Sequence, residues 1–226
     1  MDFVVGCELL DLIQVYKEKF QEEEARDILK GMMNAVASLN HPSRKIAHRD
    51  IGIRNIMIHF TNLEPNQNDM LDPVSYMKNI KERIADLVTN LVAIRGQYKV
   101  KIIDYGFSKI MTSDIQLNGF TSKFGVLSTK APEVEFDADV QYDERIDVWG
   151  IGVAFFILVT CRPMFPQKQT TKSGGSKFKK TSWAICLYND IEPDQNFKHY
   201  SLSSVKFIND LVRYDFKERP TIFEAL

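Results

Sequence analysis

Cysteine is scarce. Three residues, Cys7, Cys161 and Cys186, lie far apart with no CxxC pair and no metal-ligand spacing. A disulfide framework and a thiolate metal site are therefore excluded, and reduced, mostly buried thiols in a cytoplasmic or nuclear setting are expected. Long apolar runs are also lacking. The longest, IGVAFFILVTC, falls short of the roughly 20 residues that a membrane helix needs. Charge of one sign is absent too: the net charge of −1 gives no pull toward nucleic acid or an acidic membrane. No secretory leader and no internal repeat is recognisable, and the one Gly-Gly pair, Gly174-Gly175, lies in a basic stretch.

What is present is mostly helical pattern. ELLDLIQVYKEKF carries apolar residues at Leu9, Leu10, Ile13, Val15 and Tyr16. EEEARDILKGMMNAVASLNH repeats the pattern at Ala25, Ile28, Leu29, Met32, Met33, Val36 and Leu39, with acids at its start and His41-Pro42 as its stop. A third helix, apolar on all sides, is predicted over Asp147 to Cys161, and an amphipathic one over the tail, with Val205, Ile208, Leu211 and Val212 inward. Two short β-rich runs, NIMIHF and YKVKIID, interrupt the helices. The predicted class is mainly α with a short β-ribbon.

Two segments stand apart. Residues 61–97 separate the β runs. Asp72 as N-cap, Pro73 at the first helical position, an apolar stripe from Met77 to Val92 and Gly96 as stop predict a helix over 73–95. That helix packs on the body or docks a partner. Residues 167–182, rich in Gly, Ser and Lys, read as a solvated basic linker.

Polar groups gather at the ends of the β runs. In IAHRDIGIRNIMIHF, Asp50 stands five residues before Asn55; in YKVKIIDYGFSKI, an apolar strand ends in Asp104, followed by Gly106. An isolated D-x4-N more often closes a hairpin than carries chemistry. Here HRDIGIRN, DYG and APE follow one another in order, with DERIDVWGIGVAFFILVTCRPMF and DFKERPT behind them. This set resembles the protein kinase signatures HRDxxxxN, DFG and APE over nearly the whole chain.

The resemblance implies the protein kinase-like α+β fold and phosphoryl transfer from Mg-ATP to a protein hydroxyl. Asp50 would orient the acceptor hydroxyl and take its proton, while Asn55 and Asp104 would give oxygen ligands to Mg²⁺. Arg54 sits where tyrosine kinases carry an Arg in the same loop. Asp2 and Val4 would offer backbone groups to adenine, Glu8 would face the ribose, and Met57 would lie below the base. Arg49 would meet a phosphate on the activation segment, with Thr121 and Ser122 best placed to carry it and Thr112 and Ser113 behind. His48 and Tyr105 would join a packed spine, Asp147 would hold the catalytic loop by its amides, and Glu133 and Arg219 would form a buried ion pair.

The sequence also departs from that pattern. MDFVVGCELLDLI resembles the hinge between the two kinase lobes (residues 1–8) and the helix after it. The expectation is a C-terminal lobe that lacks its N-terminal partner lobe, with no phosphate loop or strand lysine, and that is inactive alone. Gly52 stands where serine/threonine kinases usually carry Lys, and Val126 and Thr129 stand where they usually carry Thr and Tyr. The length from Gly125 to APE is of the serine/threonine type, so that acceptor class is favoured over tyrosine. Two function classes follow: a kinase, or a pseudokinase-like binding or scaffold module.

Overall fold

The computed structural model describes residues 4–16, 20–61, 97–111, 130–135, 142–164, 191 and 197–226. Asp2, Cys186, Thr121, Ser122, the predicted helix over 73–95 and the basic linker 167–182 lie outside the described residues.

A three-stranded antiparallel sheet is built from β1 (Gly6–Glu8), β3 (Ile56–Phe60) and β4 (Tyr98–Ile102), in the order β1-β3-β4. Along β3, Ile56, Ile58 and Phe60 are buried while Met57 and His59 alternate onto the other face. The sequence reading anticipates the β3–β4 ribbon but not β1. Gly-Cys-Glu carries no strand signal; the pairing exists because Gly6 lets the two backbones approach. A Cβ at Gly6 would lie 1.9 Å from the Ile58 carbonyl oxygen. A second, two-stranded ladder joins β2 (Ile46–Ala47) to β5 (Lys109–Ile110).

The helices are α1 (Leu9–Tyr16), α2 (Glu22–Asn40), α3 (Pro132–Glu135), α4 (Arg145–Thr160), α5 (Leu202–Leu211) and α6 (Ile222–Ala225). Every apolar residue that the 3.6-residue stripe assigns to the inside of α2 is buried. Its first turn holds Glu22, Glu23 and Glu24, and the Gln21 N–H donates to the Glu24 carboxylate at 2.8 Å. α1 differs from expectation. Leu9, Leu12 and Ile13 are its buried face, with Asp11 beside them, whereas Leu10, Val15 and Tyr16 are half-buried. A helix of two turns takes its inward face from its anchored first turn, and the apolar residues at its far end lie over the edge. Helix α5 is capped by Ser201, whose Oγ accepts from the Ser204 N–H at 3.2 Å.

α4 runs through the interior. It is buried on almost all sides, packing against α2 and α5, while α2 also covers β4 and α6. The fold is thus mainly α with a small antiparallel sheet, and one continuous apolar core links the sheet to the helices. The loop between β2 and β3 lies where the sheet meets the N-terminal end of α4.

Candidate active site

Asp147, in the first turn of α4, has no solvent exposure. Its Oδ2 accepts the His48 N–H and its Oδ1 the Arg49 N–H, both at 2.8 Å. Burial pushes this carboxyl above the ordinary Asp range, and the two amide donors pull against that shift. Arg49 takes a left-handed backbone, φ 67°, a conformation that is uncommon for any residue but glycine, and the two hydrogen bonds to Asp147 hold it in place. The His48 ring is buried, with Nε2 3.0 Å from the Ile103 carbonyl. A carbonyl only accepts, so Nε2 carries the proton. The Tyr105 ring meets His48 edge-on at 5.2 Å, but Tyr105 is 47% exposed. The expected packed spine is therefore closed on the His48 side and open on the Tyr105 side, because Tyr105 sits on an exposed three-residue turn.

β3 begins directly after the loop. The Ile103 N–H donates to the Asn55 carbonyl at 2.9 Å, which sets Asn55 opposite the residue before Asp104. The Asn55 side chain turns back: Nδ2 donates to the Asp50 carbonyl at 2.9 Å and to Asp50 Oδ2 at 2.8 Å. Its Oδ1 and Asp50 Oδ1 make no hydrogen bond among the described residues. Asp104 is exposed, at φ 62°, and its Oδ1 caps the turn Tyr105–Phe107 by accepting the Gly106 N–H at 3.2 Å. The side chains of Asp50 and Asn55 are joined, while Asp104 is held by its own turn. Arg54 points to solvent, with no hydrogen bond among the described residues.

Arg49 ties the loop to the segment after Asp104. Its Nε donates to the Phe107 carbonyl at 2.6 Å, and Nη1 lies 3.5 Å from the Tyr142 hydroxyl. Burial raises the Tyr142 pKa, and the Arg49 contact partly offsets this. A pocket of about 30 Å³ opens between Arg49, Asp50 and Ile51 on one side and Lys130, Ala131 and Val134 on the other. Nothing local in the sequence marks Lys130 or Tyr142 for this place; only the fold brings them here.

At the sheet, Glu8 and Met57 are directly opposed across β1 and β3 and so share a face. Val4 is half-buried ahead of them, and the Val5 carbonyl accepts from Phe60 N–H and His59 Nδ1, both at 2.9 Å. Across the pocket from the loop, on the helix that carries Val134, Glu133 forms a buried two-pronged pair with Arg219.

Comparison with known proteins identifies the family. The protein kinase domain model matches residues 1–226, so the chain belongs to the protein kinase family. It is 27% identical to "Probable serine/threonine-protein kinase fhkC" of Dictyostelium discoideum, over all of this chain and 30% of that protein. It is 26% identical to MAP kinase-interacting serine/threonine-protein kinase 1 of Xenopus laevis, over 99% of this chain and 48% of that one. The chain spans between a quarter and a half of the length of the first curated relatives it matches. A crystal structure of the Rad53 kinase domain and SCD2 in complex with AMPPNP shares the fold, with a TM-score of 0.62 at 19% identity over all of this chain and 65% of that one.

Proposed function

We propose that the chain carries the phosphoryl-transfer loop and the metal-binding carboxylate of an ATP- and Mg²⁺-dependent protein kinase that acts on serine or threonine hydroxyls. One observation carries the reading: the Asp50–Asn55 hydrogen bond lies at the strand end opposite Ile103-Asp104, on a loop clamped by Asp147. The serine/threonine choice is supported by the names of the relatives.

The donor set fits Mg²⁺. Asn55 spends its amide nitrogen on Asp50, which leaves its oxygen, and Asp104 keeps one carboxylate oxygen outside its turn bond. Both are hard oxygen donors, and they would hold the cation with phosphate and water oxygens completing its shell. When bound, the metal neutralises charge that builds on the transferred phosphoryl group. Asp50 orients the acceptor hydroxyl. Its Oδ2 is tied to Asn55, and Oδ1, which makes no hydrogen bond among the described residues, would accept the hydroxyl proton. Arg49 links this loop to the segment after Asp104 and would pair with a phosphate there, for which Thr121 and Ser122 are the proposed carriers. Glu8, Val4, Asp2 and Met57 are the proposed nucleotide contacts at the sheet. The second reading, a binding or scaffold module, is favoured by Gly52 in the position where a serine/threonine kinase usually carries Lys.

The test is Asp50→Asn in the intact protein, with labelled ATP and myelin basic protein as acceptor. Transfer falls by about 10²- to 10⁴-fold while nucleotide affinity stays within about twofold. Transfer at the wild-type rate, or loss of nucleotide binding, overturns the role given to Asp50. Wild-type protein that binds nucleotide and transfers nothing establishes the scaffold reading instead.

A further inference from the structure

Asn40, the last residue of α2, turns its side chain into the interior and is 6% exposed. Its Nδ2 donates to the Ile46 carbonyl at 2.8 Å and to Asp147 Oδ2 at 3.3 Å. Its Oδ1 is buried and has no hydrogen-bond partner among the described residues. A buried acceptor left unpaired is costly, so an apolar side chain would suit this place better if packing were its purpose. Turning the amide over would aim Oδ1 at two oxygens that only accept. The orientation, and the use of an amide at all, are explained by what Nδ2 reaches.

We propose that Asn40 is a positioning residue of the transfer loop, acting through Asp147. The Asp147 carboxylate takes three donors: Arg49 N–H on Oδ1, and His48 N–H with Asn40 Nδ2 on Oδ2. The backbone amides fix the loop to the carboxylate, and Asn40 fixes the carboxylate to α2. The same Nδ2 holds the Ile46 carbonyl, two residues ahead of His48 and at the start of the β2 strand. One side chain therefore sets both where the chain enters the loop and how the clamp on the loop is turned. Asp50 follows Arg49 directly, so a rotation of the clamp is passed to it through one left-handed residue. The word transfer rests on the function proposed above; the positioning itself does not.

The experiment uses ¹⁵N-labelled full chain and reads amide hydrogen exchange and amide proton shifts at His48 and Arg49. In Asn40→Leu both amides exchange at least about tenfold faster and their protons move upfield, whereas Met32 and Val36 within α2 keep their wild-type protection. Asn40→His, which restores an N–H donor, returns both amides toward wild type. Should the Leu variant not fold, Asn40→Ala removes the donor without added bulk and gives the same loss. Unchanged amides in the Leu or Ala variant, or acceleration shared equally by α2 and not rescued by His, overturns the proposal. In the intact protein, Asn40→Leu lowers kcat about tenfold with the KM for ATP unchanged, the signature of a misplaced group and not of lost binding. If the wild type transfers nothing, the function proposed above fails, while the exchange data still decide whether Asn40 positions the loop.

Discussion

Arg219 and Glu133 meet as a closed, two-pronged ion pair, with both Nη–Oε distances at 2.7 Å and neither residue more than 7% exposed. The remaining donors of the guanidinium are also used: Nε on the Arg213 carbonyl at 2.7 Å, Nη2 on that of Tyr214 at 3.2 Å, and Nη1 on that of Arg145 at 3.4 Å. Its plane lies over the Trp149 ring, 4.9 Å from the centroid. One side chain thus joins α3, α4 and the turns that follow α5.

Removing that guanidinium leaves a buried carboxylate without its ion-pair partner and takes a donor away from three carbonyls. Arg219→Ala should cost about 3–5 kcal/mol, whereas Lys217→Ala, at an exposed position two residues away, should stay within about 0.5 kcal/mol. Thermal unfolding of the two variants checks this: a gap of about 10 °C is expected. Adding Glu133→Ala to Arg219→Ala should cost less than the sum of the two single changes, because the pair is lost only once. Equal melting temperatures for Arg219→Ala and Lys217→Ala would contradict the buried pair.

The stripe of α2 and the Asp50–Asn55 spacing are legible in the sequence because both are local. A 3.6-residue period and a fixed offset survive without knowledge of the fold. Asn40 is not legible in this way. Its partner Asp147 lies 107 positions away, and a lone Asn before His-Pro reads as a helix stop. β1 is hidden for the same reason, since its three residues become a strand only by pairing with β3. Cys161 shows the limit of composition as a guide. Scarce thiols suggest burial, yet Cys161 is exposed, because α4 ends there in a left-handed residue, φ 53°, that turns the chain outward.

Gly150 lies where α4 touches the loop between β2 and β3. A Cβ there would sit 2.6 Å from Ile51 Cβ and 2.7 Å from the Ile51 carbonyl oxygen. Neither atom belongs to a flexible chain end, so the loop must move. Gly150→Ala is expected to cost about 1–3 kcal/mol and to lower the melting temperature by roughly 5 °C, despite the better helix propensity of Ala. Ile51→Val added to it should give no relief, since the clash is with Cβ and backbone. A melting temperature equal to that of wild type would show that the helix and loop can part freely.

Glu22 links the start of α2 to the start of α5. Its carboxylate accepts the Ser201 hydroxyl at 2.6 Å, the Ser201 N–H at 3.2 Å and the Ser204 hydroxyl. Partial burial raises its pKa, but the hydroxyl and amide donors outweigh this and hold it below the usual value of 4.5. The unfolded chain therefore takes up the proton at higher pH than the folded one. The stabilisation is complete above about pH 4.5 and is lost as pH falls through the lower folded value. Denaturant unfolding of wild type and Glu22→Gln should show a difference at pH 6 that narrows toward pH 3. A difference independent of pH would remove the ionised carboxylate from the account.

Cys7 and Cys161 should differ sharply in reactivity. Cys7 is buried in β1, and burial, followed by the nearby charges of Asp11 and Glu8, pushes its thiol up to about 12. The thiolate is the nucleophile, so at pH 8 almost no Cys7 is in reactive form, and the residue is shielded from solvent. Cys161 is exposed at the end of α4. Iodoacetamide at pH 8, read by peptide mass spectrometry, should modify Cys161 in the native protein and leave Cys7 untouched. Addition of denaturant should then bring Cys7 to the rate of an ordinary thiol, because the strand pairing that buries it is gone. If Cys7 were labelled in native buffer as fast as Cys161, β1 would be opening from β3 on the time scale of labelling. The sheet edge that holds Glu8 opposite Met57 would then be a transient feature and not a fixed part of the site.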